Sequence, residues 1–310
     1  MAKNKFAQKH FHDEDAARQW FEAARWPDGP VCPNCGSLKH YATKKVGRYR
    51  CGEPECRKDF TVQTKSIMER SHTPLTSWAY AFAVAADGKK GFSAHQLMRQ
   101  LGCQYNTAWF LHHRVMEAML RGKIDLPPMG GPGKIVEVDE TYFGKQAGPI
   151  RLKKPRSTPY TKKGHQYNNR AIVALVERGG DVRSFHVAHA DKATVAKIVM
   201  DNIAKESRLH TDESRLYFGA DQHFASHETV RHSAGEYARG DVNTNSAEGY
   251  FGIFKRGMRG VYQHCAEKNL HRYLAEFGFR YNTRKITDSE RAVLAVQGGE
   301  GKRLTYRQPH

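Results

Sequence analysis

The spacing of apolar residues predicts a helix near the start of the chain. Four of them recur at helical intervals: Ala16, Trp20, Phe21 and Ala24. The pattern stops at Trp26-Pro27-Asp28-Gly29, which is rich in turn-forming residues. We therefore expect an amphipathic helix that ends in a turn.

A second helical region follows in the sequence. Leu75 to Ala86 is predicted to form one helix that ends at Asp87-Gly88. FSAHQLMRQL and YNTAWFLHHRVMEAMLRG predict two more helices, joined by a tight turn at Gly102, with Ser93 and Asn106 at the expected N-cap positions. This arrangement is typical of a helix-turn-helix, whose second helix enters the DNA major groove. An ordinary helical hairpin is the alternative.

Strand patterns begin after the Pro/Gly-rich segment GKIDLPPMGGPGK, which predicts a linker at residues 122–134. IVEVDETYFG, NRAIVALVERGG and DVRSFHVAH predict three strands, followed by a helix from Thr194 to Lys205 and the short strand RLHTDE. This β-β-β-α-β order resembles the opening of an RNase H-like fold, in which the first three strands are antiparallel and the fourth lies parallel to the first. We predict an α/β chain with regions at 1–66, 67–122 and 130–300.

Four cysteines predict a zinc ribbon in the first region. Cys32-Pro-Asn-Cys35 and Cys51-Gly-Glu-Pro-Glu-Cys56 flank YATKKVGRYR, which alternates like short strands. Four thiolates complete a tetrahedral Zn²⁺ site, and a module this small cannot fold on its own apolar core. Unrelated structural cysteines and disulfides are the alternatives, but the N-terminus lacks the apolar core of a signal peptide. Cys103 and Cys265 are isolated in the sequence.

The charge balance predicts a polyanionic partner. The 310 residues contain 50 Lys and Arg against 32 Asp and Glu, a formal net charge of +18. Nucleic acid is the first candidate and an anionic membrane surface the second. No stretch approaches the ~20 apolar residues of a membrane span, and no basic amphipathic helix carries bulky apolar anchors. We therefore expect a cytoplasmic protein that binds DNA and not a membrane.

A basic segment interrupts the predicted sheet. Residues 145–170 contain eight Lys and Arg and no acid. Such a segment is usually a solvated surface, but beside an acidic pocket it could hold a phosphate backbone. The candidate DNA-binding residues here are Lys153, Lys154, Lys162 and Lys163.

Three acids are candidate ligands for divalent cations. Asp139 is predicted near the end of the first strand, Asp212 at the end of the fourth, and Glu248 in the helix of NTNSAEGYFGIFKRG. Because those two strands would be neighbours, the acids could hold two cations that activate a nucleophile and stabilise a leaving 3′ oxygen. Considered one at a time, each acid has another possible role. Asp139 could form an ion pair with a basic residue, Asp212 could cap a turn, and Glu248 could interact favourably with the dipole of its helix. Rival acids are Glu140, Asp191, Glu213, Asp221, Glu228 and Glu236.

Two of these rivals have specific alternative interpretations. Glu140 should point to the face of its strand opposite Asp139, because side chains alternate with a period of two. Asp191 is the main competitor for the second position, but ADKAT reads better as a helix-capping sequence.

These motifs resemble those of bacterial insertion-sequence transposases of the Asp-Asp-Glu class, in the ISXO-like group with an N-terminal zinc ribbon. The matching segments are CPNCGS, CRKDFTVQT, SIMERSHTPLTSWAYAF, VEVDETYFG, LHTDES, HETVRHSAGEYARGDVNTNSAEGYFGIFKRGMRGVYQH and LHRYLAEFGFRYNTR. They cover most of residues 11–285, and the block 227–285 is the most specific. Two departures occur: Asn243-Thr244-Asn245 replaces the usual His-Thr-Asn, and Gly144-Lys145 replaces Gly-Gly.

The resemblance implies Mg²⁺- or Mn²⁺-dependent phosphoryl transfer. Asp139, Asp212 and Glu248 match the catalytic acids of the class, and 35 residues separate the last two. Water would attack the phosphodiester at the end of the element, and the freed 3′ hydroxyl would then attack target DNA. Lys255, Arg256 and Arg259 follow on the Glu248 helix and are candidates to hold the DNA backbone.

The implied partners are double-stranded DNA, as terminal inverted repeats and target, and further copies of the chain in a homodimer or higher oligomer. Two other functions remain open. One is an RNase H-like nuclease or resolvase that cuts without joining. The other is a non-catalytic zinc-ribbon regulator that binds DNA.

Overall fold

The helix-rich and strand-rich parts of the sequence form separate units. The computed structural model describes residues 5–120, 126–145, 169–217 and 219–305. One unit contains residues 1–124 and 283–310, and the other contains residues 125–282. The boundary between them falls inside the linker predicted at 122–134.

The first unit begins with the predicted amphipathic helix, α1 (Glu14–Arg25). Asp13 caps it by accepting a 2.7 Å hydrogen bond from the Ala16 amide, and Phe21 is fully buried. A three-stranded antiparallel sheet follows, formed by β1 (His40–Ala42), β2 (Arg48–Cys51) and β3 (Asp59–Thr61). The cysteine segments lie at the ends of these short strands.

Three helices continue the first unit: α2 (Leu75–Ala86), α3 (Ala94–Leu101) and α4 (Tyr105–Met119). The bounds of α2 agree with the prediction from the sequence. The side chain of Ser93 caps α3, and Gly102 ends it with a φ of +62°. The predicted N-cap role of Asn106 is wrong, because α4 already begins at Tyr105 and Asn106 lies inside the helix.

The second unit is built on a five-stranded sheet. Its strands are β4 (Ile135–Lys145), β5 (Asn169–Glu177), β6 (Val182–Val187), β7 (Arg208–Asp212) and β8 (Ser226–Val230). They lie in the order β6-β5-β4-β7-β8. The β4–β5 and β5–β6 pairs are antiparallel, whereas β4–β7 and β7–β8 are parallel. The predicted pairing of the first four strands is therefore confirmed.

Helices cover both faces of this sheet. Helix α5 (Lys192–Asn202) lies on one face, where Val195 packs with Val136 and Val138 of β4. Helices α6 (Asn245–Gly257) and α7 (Leu270–Asn282) lie on the other, where Phe143 of β4 packs against Phe254. The even-numbered side chains of β4 thus face α5, and the odd-numbered ones face α6.

The structure corrects the predicted position of Asp139 within its strand. We expected it near the strand end, but β4 continues for six residues beyond it because β5 pairs with it as far as Lys145. The parallel pairing with β7 ends at Glu137 and His210. Asp139 therefore lies in mid-strand but just beyond the last paired residue on the β7 side.

The chain then returns to the first unit through α8 (Asp288–Gln297). Thr287 and Glu290 form a reciprocal capping box at its start, and Arg291 donates a 2.6 Å hydrogen bond to the carbonyl of Ala86. Residues 283–300, which the sequence grouped with the third region, thus belong to the first unit. Among the described helices, none combines the length and apolar composition that crossing a bilayer requires.

Candidate functional site

Asp139 and Asp212 occupy equivalent positions on two neighbouring strands. The parallel register pairs Val136 with Leu209 and Glu137 with His210, and Asp139 and Asp212 lie two residues further along each strand. Because side chains alternate along a strand, both carboxylates belong to the face covered by α6. The strand order thus brings together two acids that are 73 positions apart in the sequence.

Glu248 reaches the same region from α6. It is the fourth residue of this helix and exposed to solvent. Its Oε1 accepts a 3.2 Å hydrogen bond from the Thr244 hydroxyl and lies 3.5 Å from Nε2 of His232. The sequence gives no signal for His232, because the chain contains 17 histidines and nothing distinguishes this one.

The three acids share one electrostatic environment. Burial and, after it, the charges of Glu140, Asp212 and Glu248 together raise the pKa of Asp139 to about 7. Burial also raises the pKa of Asp212, while His232 acts in the opposite direction. A group of partly buried carboxylates favours a cation that neutralises them, and Mg²⁺ and Mn²⁺ prefer oxygen ligands of this kind. The donor set therefore fits a divalent cation.

Glu140 lies on the opposite face of β4, as the alternation of side chains predicts. Its Oε2 accepts a 2.6 Å hydrogen bond from the hydroxyl of Tyr217, which belongs to the apolar cluster beneath α5. Burial raises the pKa of Glu140, and the Tyr217 hydrogen bond partly offsets that rise. Glu140 is thus held by a side-chain partner on the face of the sheet opposite Asp139.

Four of the five remaining rival acids contact a structural group: Asp191 caps α5 through the Thr194 amide, Glu213 accepts from Ser233, Glu228 pairs with Arg208, and Glu236 accepts from the Arg231 amide. The fifth, Asp221, lies in a short helical turn. Interpreting Asp191 as a helix cap is thereby confirmed.

The predicted DNA-binding residues Lys255, Arg256 and Arg259 lie on α6 and in the turn that follows it. Lys255 is partly buried, and its pKa is lowered by burial and by Arg259 while Asp139 raises it. Arg256 is exposed and donates to the carbonyl of Gly252, and Arg259 is exposed in the π-helical turn Met258–Tyr262 that follows α6. Lys255 is therefore close enough to Asp139 for their charges to interact. Lys153, Lys154, Lys162 and Lys163 lie outside the described residues.

Glu137 is the main residue that sequence reasoning missed. Its side chain is fully buried, two positions before Asp139 on the same face of β4. Its Oε2 accepts hydrogen bonds from the amides of Ser246 and Ala247, at 2.7 and 3.1 Å. An acid inside an apolar strand was the available signal, because a buried carboxylate needs several partners.

The four cysteines of the ribbon form a compact set of ligands. Their sulfur atoms all lie within 4.8 Å of one another, with Cys32 and Cys56 at 3.9 Å and Cys35 and Cys51 at 3.5 Å. A zinc ion with Zn–S bonds of about 2.3 Å requires sulfur–sulfur separations of about 3.8 Å. The geometry therefore fits tetrahedral Zn²⁺. Across the described part of the chain, this is the only group of three or more potential ligands close enough together to hold a metal ion as they stand.

The thiols of this set ionise unequally. Burial raises the pKa of Cys32, but the amides of Asn34 and Cys35 outweigh it and lower the pKa to about 7. For Cys51 the Glu53 amide lowers the pKa, yet burial and the three other cysteines raise it to about 12. Four thiolates in such proximity repel one another unless a cation neutralises them. The arrangement is therefore suited to a bound metal ion.

Two family models match the parts of the chain that contain these residues. The family model of the ISXO2-like transposase domain matches residues 130–282, and that of the transposase zinc-ribbon domain matches residues 12–59. An uncharacterized protein in transposable element ISH50 of Halobacterium salinarum is 29% identical over 286 residues, which cover 88% of this chain and 92% of that protein. The first model spans β4 to α7 with all three acids, and the second spans the four cysteines.

Proposed function

Because the chain belongs to the ISXO2-like family of transposases, we propose that it cuts DNA at the ends of its element and joins the freed 3′ ends to target DNA. The observation that carries this proposal is the shared environment of Asp139, Asp212 and Glu248, in which burial and neighbouring carboxylates raise the pKa of Asp139 to about 7. Carboxylates that are partly buried beside one another repel, and a bound cation removes that repulsion.

The three acids have the central role in the proposed mechanism. They would hold Mg²⁺ or Mn²⁺, which when bound activates an attacking oxygen and stabilises a leaving 3′ oxygen. Asp139 must lose its proton before it serves as a ligand. Lys255, Arg256 and Arg259 would hold the phosphate backbone of the DNA beside the acids.

The rest of the chain would bind DNA and hold its own metal. We propose that the sheet of the second unit is an RNase H-like fold, because its strand order and parallel β4–β7 pair agree with that fold. The α3–α4 pair would act as a helix-turn-helix on the terminal repeats, and the ribbon would contain Zn²⁺. Two element ends must meet, so a homodimer or larger oligomer would assemble on DNA. The three functional regions at 1–66, 67–122 and 130–300 also remain part of the proposal.

A strand-transfer assay tests the function. Labelled duplexes ending in the inverted repeats that flank the coding sequence are incubated with target DNA and Mg²⁺. We expect cleaved and joined products from the wild type and from Asp191→Asn, a matched control in which a helix cap is changed, and none from Asp212→Asn. Cleavage without joining would support a nuclease or resolvase. DNA binding without metal-dependent chemistry would support a regulator and contradict the proposal.

A further inference from the structure

Helix α6 is capped by a residue from another element. The side chain of its own N-cap residue, Thr244, accepts no hydrogen bond from a backbone amide of the first turn and instead donates to the Glu248 carboxylate. Glu137 of β4 accepts from the Ser246 and Ala247 amides instead, and its Oε1 accepts a 3.0 Å hydrogen bond from the Ser246 hydroxyl. A carboxylate at this end of a helix also interacts favourably with the helix dipole.

An arginine donates two hydrogen bonds to one oxygen of the same carboxylate. Arg178 donates to Oε1 of Glu137 from Nε at 2.9 Å and from Nη2 at 2.8 Å. The guanidinium also donates to the carbonyls of Asp241 and Asn243, at 2.7 and 3.2 Å, in the loop that leads into α6. Glu137 therefore has partners for both oxygens, and each partner adjoins the start of α6.

We propose that Glu137 is a positioning residue that fixes Glu248 relative to Asp139; this inference rests on the proposed function. Asp139 is two residues after Glu137 on one strand face, and Glu248 is the residue after Ala247. The two candidate ligands are thus connected through one short, buried hydrogen-bonded link. Without it, α6 could shift along the sheet and change the separation of the acids.

A purely structural role is the alternative, because any buried carboxylate with an arginine partner affects stability. Glu276 of α7 provides the matched control. It too is fully buried, accepts 2.7 and 2.6 Å hydrogen bonds from the Tyr262 hydroxyl, and pairs with Arg280. It does not contact the first turn of α6. Glu137→Gln and Glu276→Gln therefore remove the same charge from similar environments.

Mn²⁺ binding to the full-length protein without DNA separates these roles. Free Mn²⁺ is followed by its electron paramagnetic resonance signal, alongside thermal unfolding of each variant. We expect Glu137→Gln to weaken the Mn²⁺ binding that depends on Asp212 by about 10–100-fold, which is the range observed when a residue that orients metal ligands is substituted. Glu276→Gln should leave it unchanged. In a Glu248→Gln background, Glu137→Gln should have no further effect on Mn²⁺ affinity.

Equal Mn²⁺ affinity for Glu137→Gln and Glu276→Gln would overturn the positioning role. If Glu137→Gln fails to fold, Ser246→Ala removes the hydroxyl contact alone and should weaken Mn²⁺ binding in the same direction. Wild-type protein that binds no Mn²⁺ through Asp212 would instead contradict the proposed function, so the two failures can be distinguished.

Discussion

The Tyr217 hydroxyl donates a 2.6 Å hydrogen bond to Oε2 of Glu140. This contact holds the Glu140 carboxylate on the α5 face of the sheet, while its neighbour Asp139 belongs to the α6 face. Because successive side chains of a strand point to opposite faces of the sheet, these two adjacent acids have different environments. Burial and the Glu140 charge raise the pKa of Tyr217 well above its ordinary value, so the hydroxyl remains a donor.

Tyr217→Phe should destabilise the protein more than Tyr250→Phe. Both tyrosines are buried, but Tyr217 donates to a carboxylate and Tyr250 shares a 2.9 Å hydrogen bond with the Ser184 hydroxyl. Hydrogen bonds to charged groups contribute about 1.5–3 kcal/mol and neutral ones about 0.5–1.5 kcal/mol. Denaturant unfolding measures the two free energies. Equal losses would mean that Glu140 does not depend on Tyr217.

Asp139→Asn and Glu140→Gln should differ in metal-dependent activity. The proposed function makes Asp139 a cation ligand, so its amide variant should reduce strand transfer by at least about 100-fold, since removing a ligand costs more than removing its outer partner. Glu140→Gln should retain most of the activity, because its carboxylate faces Tyr217. Strand-transfer rates at saturating Mg²⁺ provide the comparison, and equal losses would show that Glu140 belongs to the site.

Cation affinity at the acids should fall as the pH drops below about 7. The pKa of Asp139 is raised to about 7, so below this pH a cation must displace a proton and the apparent affinity falls by up to about tenfold per unit. Mn²⁺ titrations between pH 5.5 and 8 measure this slope. Asp139→Asn should remove it, and a wild-type affinity that is constant with pH would contradict the assignment.

The same pKa predicts the pH dependence of stability without a bound cation. A carboxyl whose folded pKa is raised above its ordinary 3.8 binds more protons when folded. Its favourable contribution is therefore complete below pH 3.8 and is lost as the pH rises through about 7. The unfolding free energy without added divalent cations should decline across this window, and less so in Asp139→Asn.

Local patterns were enough to predict several elements. The bounds of α2 were correct because an apolar run ends at Asp87-Gly88, and the Ser93 cap followed from its position before α3. That the strands carrying Asp139 and Asp212 are neighbours followed from the resemblance of the strand order to an RNase H-like sheet. The roles of these acids stay predictions.

Features that depend on distant partners could not be predicted. Glu137 meets Arg178 and Ser246 across 41 and 109 positions of sequence, so no local window contains the network. The strand continues past Asp139 because β5 pairs with it, and helix α8 packs in the first unit through contacts such as Arg291 to Ala86. In each case the deciding interaction is tertiary.

Alanine at either of two glycines of α6 should stabilise the protein, and at one of them it should also weaken DNA binding. A Cβ at Gly249 would meet nothing within 4 Å, and one at Gly252 only the Arg256 guanidinium at 3.9 Å. Alanine should therefore raise the unfolding free energy by about 0.5–1 kcal/mol at each position. Gly252 lies one turn beyond Glu248, so its alanine variant should also weaken DNA binding if the backbone of the DNA approaches this face.

Gly278 of α7 is the matched control, because a Cβ there also meets nothing within 4 Å. Gly278→Ala should raise stability by a similar amount and leave DNA affinity unchanged. Fluorescence anisotropy with a labelled duplex measures binding. Identical DNA affinities for Gly252→Ala and Gly278→Ala would argue against close approach of DNA to α6.

Zinc removal should expose Trp26. This side chain is 5% exposed, and its ring packs against Phe60 of β3 at 5.8 Å and Tyr49 of β2 at 6.2 Å between centroids. Strands of three or four residues cannot maintain this cluster without the metal, because structural zinc supplies the folding free energy of such modules. Cys56→Ser or chelation should therefore shift tryptophan emission to longer wavelength, and Trp26→Phe should reduce that shift.

Cys103→Ser is the control for zinc loss: this variant should retain about one zinc per chain and unchanged emission. Unchanged emission after complete zinc loss would contradict the structural role of the metal.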